Sequence, residues 1–322
     1  MQSITYSFLI IILSSIFSYF LIKFFIPVLK EKLLDKPNLR SSHVNPTPKG
    51  GGIFIYLISF IFSIKSAIYT TNYRFEFIPL LVLPLALVSL YDDKYNLSRR
   101  IRFLSQLLFS TLTIFLLNTY LIEINSSLLF VLVCLLFIIS GVYLINSINF
   151  MDGIDGLIGS TFIIIFSTIA LHRGVNISFI MSVIGSLLGF IIWNWNPAKI
   201  FLGDVGSITL GSIYFSIIIN ANNYEQSIVF CLFSLPLIAD SFFTLLFRII
   251  KGQKFTEPHK LHLYQRLTQA GISHSKVSCI YILGVLIMSL ASFINIKFMF
   301  FAAFLEILIG FWLSEKVAVS LK

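Results

Sequence analysis

Runs of apolar residues follow one another along nearly the whole chain, interrupted only by short stretches that carry glycine, proline and charge. This succession constrains the fold more than any other feature. A helix needs about 20 apolar residues to cross a hydrocarbon core about 30 Å thick. Read this way, runs near 5–29, 52–70, 77–91, 102–118, 127–145, 157–171, 177–193, 207–220, 228–248, 277–294 and 298–315 predict an all-α integral membrane protein with about eleven transmembrane helices. At 57% hydrophobic residues and a mean hydropathy of +0.93, the chain is too apolar to cover a water-soluble surface. No repeat of fixed period and no low-complexity linker divides it, so residues 1–322 read as a single polytopic domain.

Only 11% of the residues are charged, yet the net charge is +9, so the placement of the cations reports topology. Eighteen of the 23 Lys and Arg residues fall in one set of loops and the C-terminal tail, and four in the opposite set. Positive charge accumulates on the cytoplasmic side, which puts the N-terminus outside and the C-terminus in the cytoplasm. Eleven spans satisfy that parity. The first run lacks a basic leader and a small-residue cleavage site, so it reads as a retained first span. Cys134, Cys231 and Cys279 lie far apart without ligand spacing, which argues against a disulfide framework or a zinc site. The cations flank membrane segments, so the lipid bilayer is their partner and a nucleic acid is not expected.

The same partition sorts the acids. Asp35, Asp92, Asp93, Asp152, Asp155, Asp204 and Glu257 all belong to the basic face or its membrane edge. Asp240 alone among the seven aspartates lies inside a span, where a carboxylate must be paired, protonated or turned to a polar cavity.

Five segments carry the chemistry. Asp92 and Asp93 end the third span; they read either as a solvated helix end or as a pair of which one member faces a cavity. Asn146 to Leu157 sets two amides and two carboxylates at a spacing of three with two glycines, denser than a plain turn requires. Such a strip suits the wall of a polar cavity. Phe201 to Ser207 places Asp204 between glycines, as a helix N-cap or as a ligand to a divalent cation. Ser42 to Gly52 sets Lys49 before three glycines, as a flexible loop or a phosphate cradle. Glu257 to Arg266 places His259 and His262 among cations, as an anion site or a solvated loop.

Taken in series, the S-H-x-x-P-T-P-x-G-G-G loop, the Asp pair, N-x-x-N-F-x-D-G-x-D-G-L, F-x-G-D-x-G-S and H-x-x-H-x-Y-Q-R resemble the polyprenyl-phosphate N-acetylhexosamine-1-phosphate transferases, the MraY/WecA-like membrane family. The histidine loop is closest to the branch that initiates O-antigen or related surface glycans; it lacks the three consecutive histidines of the peptidoglycan branch. The resemblance implies a sugar-1-phosphate passed from a UDP-N-acetylhexosamine-type donor to undecaprenyl phosphate, releasing UMP at the cytoplasmic face of the bacterial inner membrane. It implies Mg2+ as cofactor, with Mn2+ as a substitute, and leaves room for a homodimer. Residue by residue, it gives Asp204 the metal, Asp92 the task of deprotonating or positioning the lipid phosphate, and Asp93 a supporting place beside it. Lys49, Asn149, Asp152 and Asp155 match the nucleotide-binding strip, and His259, His262 and Arg266 would hold sugar or phosphate.

Two other classes compete. A transporter or flippase would spread its acids through the membrane depth, whereas here they gather at one face. A CDP-alcohol phosphatidyltransferase would carry Ala-Arg after its second Asp-Gly element and Gly-x-x-x-Asp downstream, and neither follows Asp155.

Overall fold

The computed structural model describes residues 2–37, 42–43, 45–69, 73–118, 126–174, 177–254 and 259–321. In chain order the elements are α1 (Gln2–Lys32), β1 (Leu34–Asp35), β2 (Thr47–Pro48), α2 (Gly52–Tyr69), α3 (Tyr73–Glu76), α4 (Ile78–Tyr95), α5 (Arg99–Leu117), α6 (Ser127–Met151) and α7 (Leu157–Arg173). They continue with α8 (Ser178–Asn194), α9 (Asp204–Ile219), α10 (Tyr224–Leu232), α11 (Leu235–Ile250), α12 (Leu263–Gln269), α13 (His274–Ala291) and α14 (Ile296–Lys316). Glu257 and Arg40 lie outside the described residues.

Among the described residues the fold is all-helical apart from the antiparallel β1–β2 pair. Among the described residues five helices, α1, α5, α6, α13 and α14, are long and apolar enough to cross a membrane, and a sixth crossing results if α10 and α11 count together. Helices α2, α7, α8 and α9 are apolar but shorter. The run expected as one span at 228–248 is two helices bent by 77°. Pro236 explains the break: it has no N–H to donate, and its ring collides with the carbonyl four residues back, that of Leu232.

Helix α9 is the centre of the molecule. Every residue from Val205 to Ile219 is buried, so the helix is covered on all sides, chiefly by α4, α6 and α2. Two of its hydroxyls are satisfied within the helix: Thr209 Oγ1 donates to the Val205 carbonyl at 2.6 Å and Ser212 Oγ to that of Ile208 at 2.7 Å. On the flank, α1 packs against α8 through small residues, with Ser18 Oγ donating to the Ser186 carbonyl at 2.8 Å. Large apolar side chains such as Phe8, Phe24, Leu136 and Phe304 point outward from α1, α6 and α14, the surface expected of helices solvated by lipid.

What matters for function is how the ends of these helices meet. The chain leaves α1, forms β1–β2, and brings Lys49 alongside Phe201 in a parallel bridge. Gly52 then starts α2 so close to α9 that a Cβ on Gly52 would sit 2.0 Å from the Gly206 Cα. No side chain fits there. The Lys49 loop is thereby fixed against the helix that begins with Asp204.

Candidate active site

Helix α9 begins at Gly203, whose φ of +78° suits glycine. A Cβ there would lie 2.9 Å from Asp93 Oδ2. The tight turn lets the Asp93 carboxylate, from the end of α4, reach two open N–H groups of the first turn: Asp204 N donates to Oδ1 at 3.2 Å and Val205 N to Oδ2 at 3.0 Å. An anion at a helix N-terminus is favoured by both the orphan donors and the macrodipole. Lys49 Nζ adds an ion pair to Asp93 Oδ1 at 3.0 Å. Burial alone would lower the Lys49 pKa, but Asp93, with Asp204 and Asp35 behind it, raises it above the ordinary lysine value, so the ammonium is charged. Asp93 is therefore fully engaged as a helix cap and as the partner of Lys49.

Asp92 is also buried, so of the two sequence readings the solvated helix end does not hold. Its Oδ1 accepts from Leu97 N at 2.6 Å, and its Oδ2 pairs with Arg102 Nη1 at 3.2 Å. The same guanidinium lies 4.0 Å from Asp204 Oδ2. Arg102 thus bridges two acids and faces the cavity, while Asp92 stands one layer behind it.

Asp204 is the accessible acid of this cluster, with its side chain 32% exposed. Asn149, near the end of α6, accepts from Ser207 Oγ at 2.6 Å, which ties α6 to the first turns of α9. Asp152 follows at the α6 C-cap. Burial, and then the charges of Asp204 and Asp93, push its carboxyl up to about 8. Asp155 is locked by neighbours: Oδ2 accepts from Ala198 N at 3.1 Å, and Oδ1 lies 3.4 Å from His274 Nδ1.

These groups line one cavity of about 1030 Å³. Lys49, Asp93, Arg102, Asn149, Asp152, Asp155 and Asp204 face it, as do His259 and His262 from the long loop. Apolar side chains line it as well: Phe103 and Leu107 of α5, Ile139 and Val142 of α6, and Leu245 of α11. One chamber therefore holds acids, the cations Lys49, Arg99 and Arg102, and apolar side chains.

Two sequence expectations change. The glycines after Lys49 are not a phosphate cradle, because Gly51 N and Gly52 N already donate to the Phe201 and Leu202 carbonyls at 3.0 and 2.9 Å. Arg266 does not reach the cavity either; its guanidinium turns to α14 and donates to the Ser314 carbonyl and hydroxyl at 2.8 and 2.7 Å. The sequence reading also missed Asp240 as an organiser of the site. Its carboxylate accepts from Leu263 N at 2.7 Å, Tyr264 N at 3.1 Å and Tyr281 Oη at 2.6 Å, with His262 Nδ1 at 3.6 Å, and so it pins the long loop over the cavity. His259 beside it is held neutral, with burial lowering its pKa to about 4 with help from His262 and Arg248.

The family model of glycosyl transferase family 4 matches residues 77–222. A probable undecaprenyl-phosphate N-acetylglucosaminyl 1-phosphate transferase of Bacillus subtilis (strain 168) is 31% identical over 271 residues, covering 78% of this chain and 74% of the relative. The chain belongs to glycosyl transferase family 4. Another relative in the family is an undecaprenyl-phosphate alpha-N-acetylglucosaminyl 1-phosphate transferase of Thermotoga maritima, 29% identical over 245 residues and covering 74% of each chain. A phospho-N-acetylmuramoyl-pentapeptide-transferase of Bacillus mycoides (strain KBAB4) is 33% identical over 190 residues, covering 51% of this chain and 58% of the relative. The stretch matched by the glycosyl transferase family 4 model holds Asp92, Asp93, Arg102, Asn149, Asp152, Asp155 and Asp204; Lys49 and the histidine loop come from outside it and close the site.

The donor set fits one kind of metal site. Among the described residues no three His, Cys, Asp or Glu side chains converge closely enough to cage an ion. Magnesium does not need a cage, since one or two carboxylates with substrate phosphate and water suffice. Asp204, exposed to the cavity beside three other carboxylates, offers such an arrangement.

Proposed function

We propose that this chain transfers an N-acetylated amino-sugar-1-phosphate from a UDP-sugar to undecaprenyl phosphate, giving undecaprenyl-diphosphate-sugar and UMP. The observation that carries the reading is a single cavity lined both by Asp204, Lys49 and Arg102 and by apolar side chains of α5, α6 and α11. A soluble nucleotide diphosphate and a lipid phosphate need opposite surroundings, and here both are present in one chamber.

The acceptor phosphate oxygen attacks the sugar-linked phosphorus of the donor. A new P–O–P bond forms, the bond to UMP breaks, and the ionised acceptor needs no proton removed. Both reactants are anionic, so their charges must be neutralised. Lys49 and Arg102 supply fixed positive charge. Asp204 would hold Mg2+, or Mn2+ in its place, which when bound neutralises the donor diphosphate and stabilises the leaving group. Asp92 orients Arg102 through their ion pair, so it is a positioning residue, and the proton-abstracting task is not carried forward. Asp93 fixes the α9 N-terminus and Lys49. Asn149, Asp152 and Asp155 form the donor wall, with His259 and His262 above it.

The basic loops and the cavity that opens beside them support a cytoplasmic active site in the bacterial inner membrane, with eleven crossings. The His259-Lys260-Leu261-His262 form supports initiation of O-antigen or a related surface glycan. A transporter is not favoured, since the chain belongs to glycosyl transferase family 4. The test uses purified protein, radiolabelled undecaprenyl phosphate and a panel of UDP-sugars. UMP and lipid diphosphate should appear one for one with at least one N-acetylated donor. No product with any sugar would remove this reading and restore transport.

A further inference from the structure

A second, smaller cavity of about 260 Å³ adjoins the first, lined by Ser42, Lys260, Gln265, Thr268, Gln269 and His274 among others. Ser42 and Gln265 line both cavities, so the two share a wall. His274, on the small side, approaches Asp155, on the large side, at 3.4 Å.

Gln265 is only 8% exposed, and its Oε1 has no hydrogen-bond partner among the described residues. An unpaired amide oxygen in a buried site is costly and calls for a ligand or water to satisfy it. Its position is fixed. The N-terminus of α12 is held by Asp240 through Leu263 N and Tyr264 N, and the Gln265 carbonyl accepts from Thr268 Oγ1 at 2.7 Å. Across the small cavity, Gln269 Nε2 donates to the Lys260 carbonyl at 3.0 Å and ties the loop to the helix.

An acceptor without a partner, carried on a helix whose N-terminus is held in place and set at the junction of the side pocket and the larger cavity, matches an N–H on the donor. We infer that the side pocket takes an amide group of the nucleotide sugar and that Gln265 Oε1 accepts its N–H, which makes Gln265 a specificity-determining residue. This inference rests on the reading under Proposed function. The donor has two such groups, the acetamido N–H of the sugar and the N3–H of uracil, and the experiment separates them.

The measurement is a pair of kcat/KM ratios in wild type and in Gln265→Met. One compares the UDP-N-acetylhexosamine with the matching UDP-hexose, which carries hydroxyl in place of acetamido. The other compares it with the CDP-linked sugar, whose base has no N3–H. In Gln265→Met one of the two ratios falls at least about tenfold, the loss expected when a buried hydrogen bond to the preferred substrate is removed. The ratio that falls names the group that Gln265 reads. Gln265→Glu keeps an acceptor oxygen and retains that ratio within about threefold. Ratios are internal to each preparation, and Gln265→Thr serves where the Met variant is recovered only as aggregate. Both ratios unchanged would overturn the inference while leaving the transferase intact. Wild type that transfers from none of these donors would instead defeat the function itself.

Discussion

Asp93 and Asp204 are separated by a hydrogen bond, yet their replacement by asparagine should have opposite effects on stability. Asp93→Asn removes an anion from the α9 N-terminus, worth about 0.3–1 kcal/mol at the surface and up to about 2 when partly buried. It turns an amide NH2 towards one of the N–H groups at 3.0–3.2 Å, leaving that donor without its acceptor, a loss of about 1–3 kcal/mol. The lost pair with Lys49 adds little, because Lys49 is 23% exposed and partly screened. Together these come to about 3 kcal/mol, a fall in thermal midpoint of about 5–10 °C for a domain of this size. Asp204→Asn relieves repulsion among Asp92, Asp93 and Asp152, so its midpoint should equal or exceed that of wild type. Turnover should nevertheless fall at least about 10³-fold, as when a main electrostatic contact to the reacting groups is removed. The assay is thermal unfolding in detergent beside UMP release on the same preparations. Wild-type stability in Asp93→Asn together with a clear loss in Asp204→Asn would refute the division between cap and ligand.

Other predictions follow from the same geometry. Because the Asp152 carboxyl is raised to about 8 from an ordinary value near 4, the folded state binds the extra proton between these limits, and metal-free protein should lose stability as pH rises from about 4 to 8. Asp152→Asn should flatten that slope in thermal midpoints taken from pH 5 to 9; an unchanged slope would show that Asp152 is not its source. Gly52→Ala forces a Cβ to within 2.0 Å of the Gly206 backbone, so it should reduce both folded yield and activity, and normal levels of each would contradict the close packing of α2 on α9. Arg102→Gln leaves Asp92 buried without its cation and should cost transfer at least about tenfold, with Arg102→Lys restoring only part of it; full recovery by lysine would argue against a planar guanidinium bridge.

The order of helices was legible because lipid imposes one rule on every span, so that each apolar run expected from the sequence contains a helix in the structure. The bend at Pro236 was written in a residue that cannot continue a helix, but the run around it is so apolar that the break was not read. The acids of the site were legible as a class, since polar groups at a membrane edge are costly without a task. Their individual tasks were not. Asp92 and Asp93 are neighbours in sequence, and only the approach of α5 and α9 shows that one holds Arg102 while the other caps a helix. The glycines after Lys49 resembled a cradle because glycine serves both anion binding and close packing, and the partner that decides between them, Gly206, is far away in sequence. Asp240 stood out as a buried acid, but its partners on α12 and α13 became visible only once the chain was folded. The arginine of H-x-x-H-x-Y-Q-R looked like an anion ligand from its company, whereas the turn of α12 directs it to Ser314.

In the proposed function Asp204 and the cations beside it gather a metal-bearing donor diphosphate in this cavity. Binding of Mn2+ in the presence of UDP-N-acetylhexosamine, followed by electron paramagnetic resonance on purified protein, tests it most directly. Wild type should bind Mn2+ in a nucleotide-dependent way, Lys49→Met more weakly, and folded Asp204→Asn not at all. Wild-type binding retained in Asp204→Asn would contradict it.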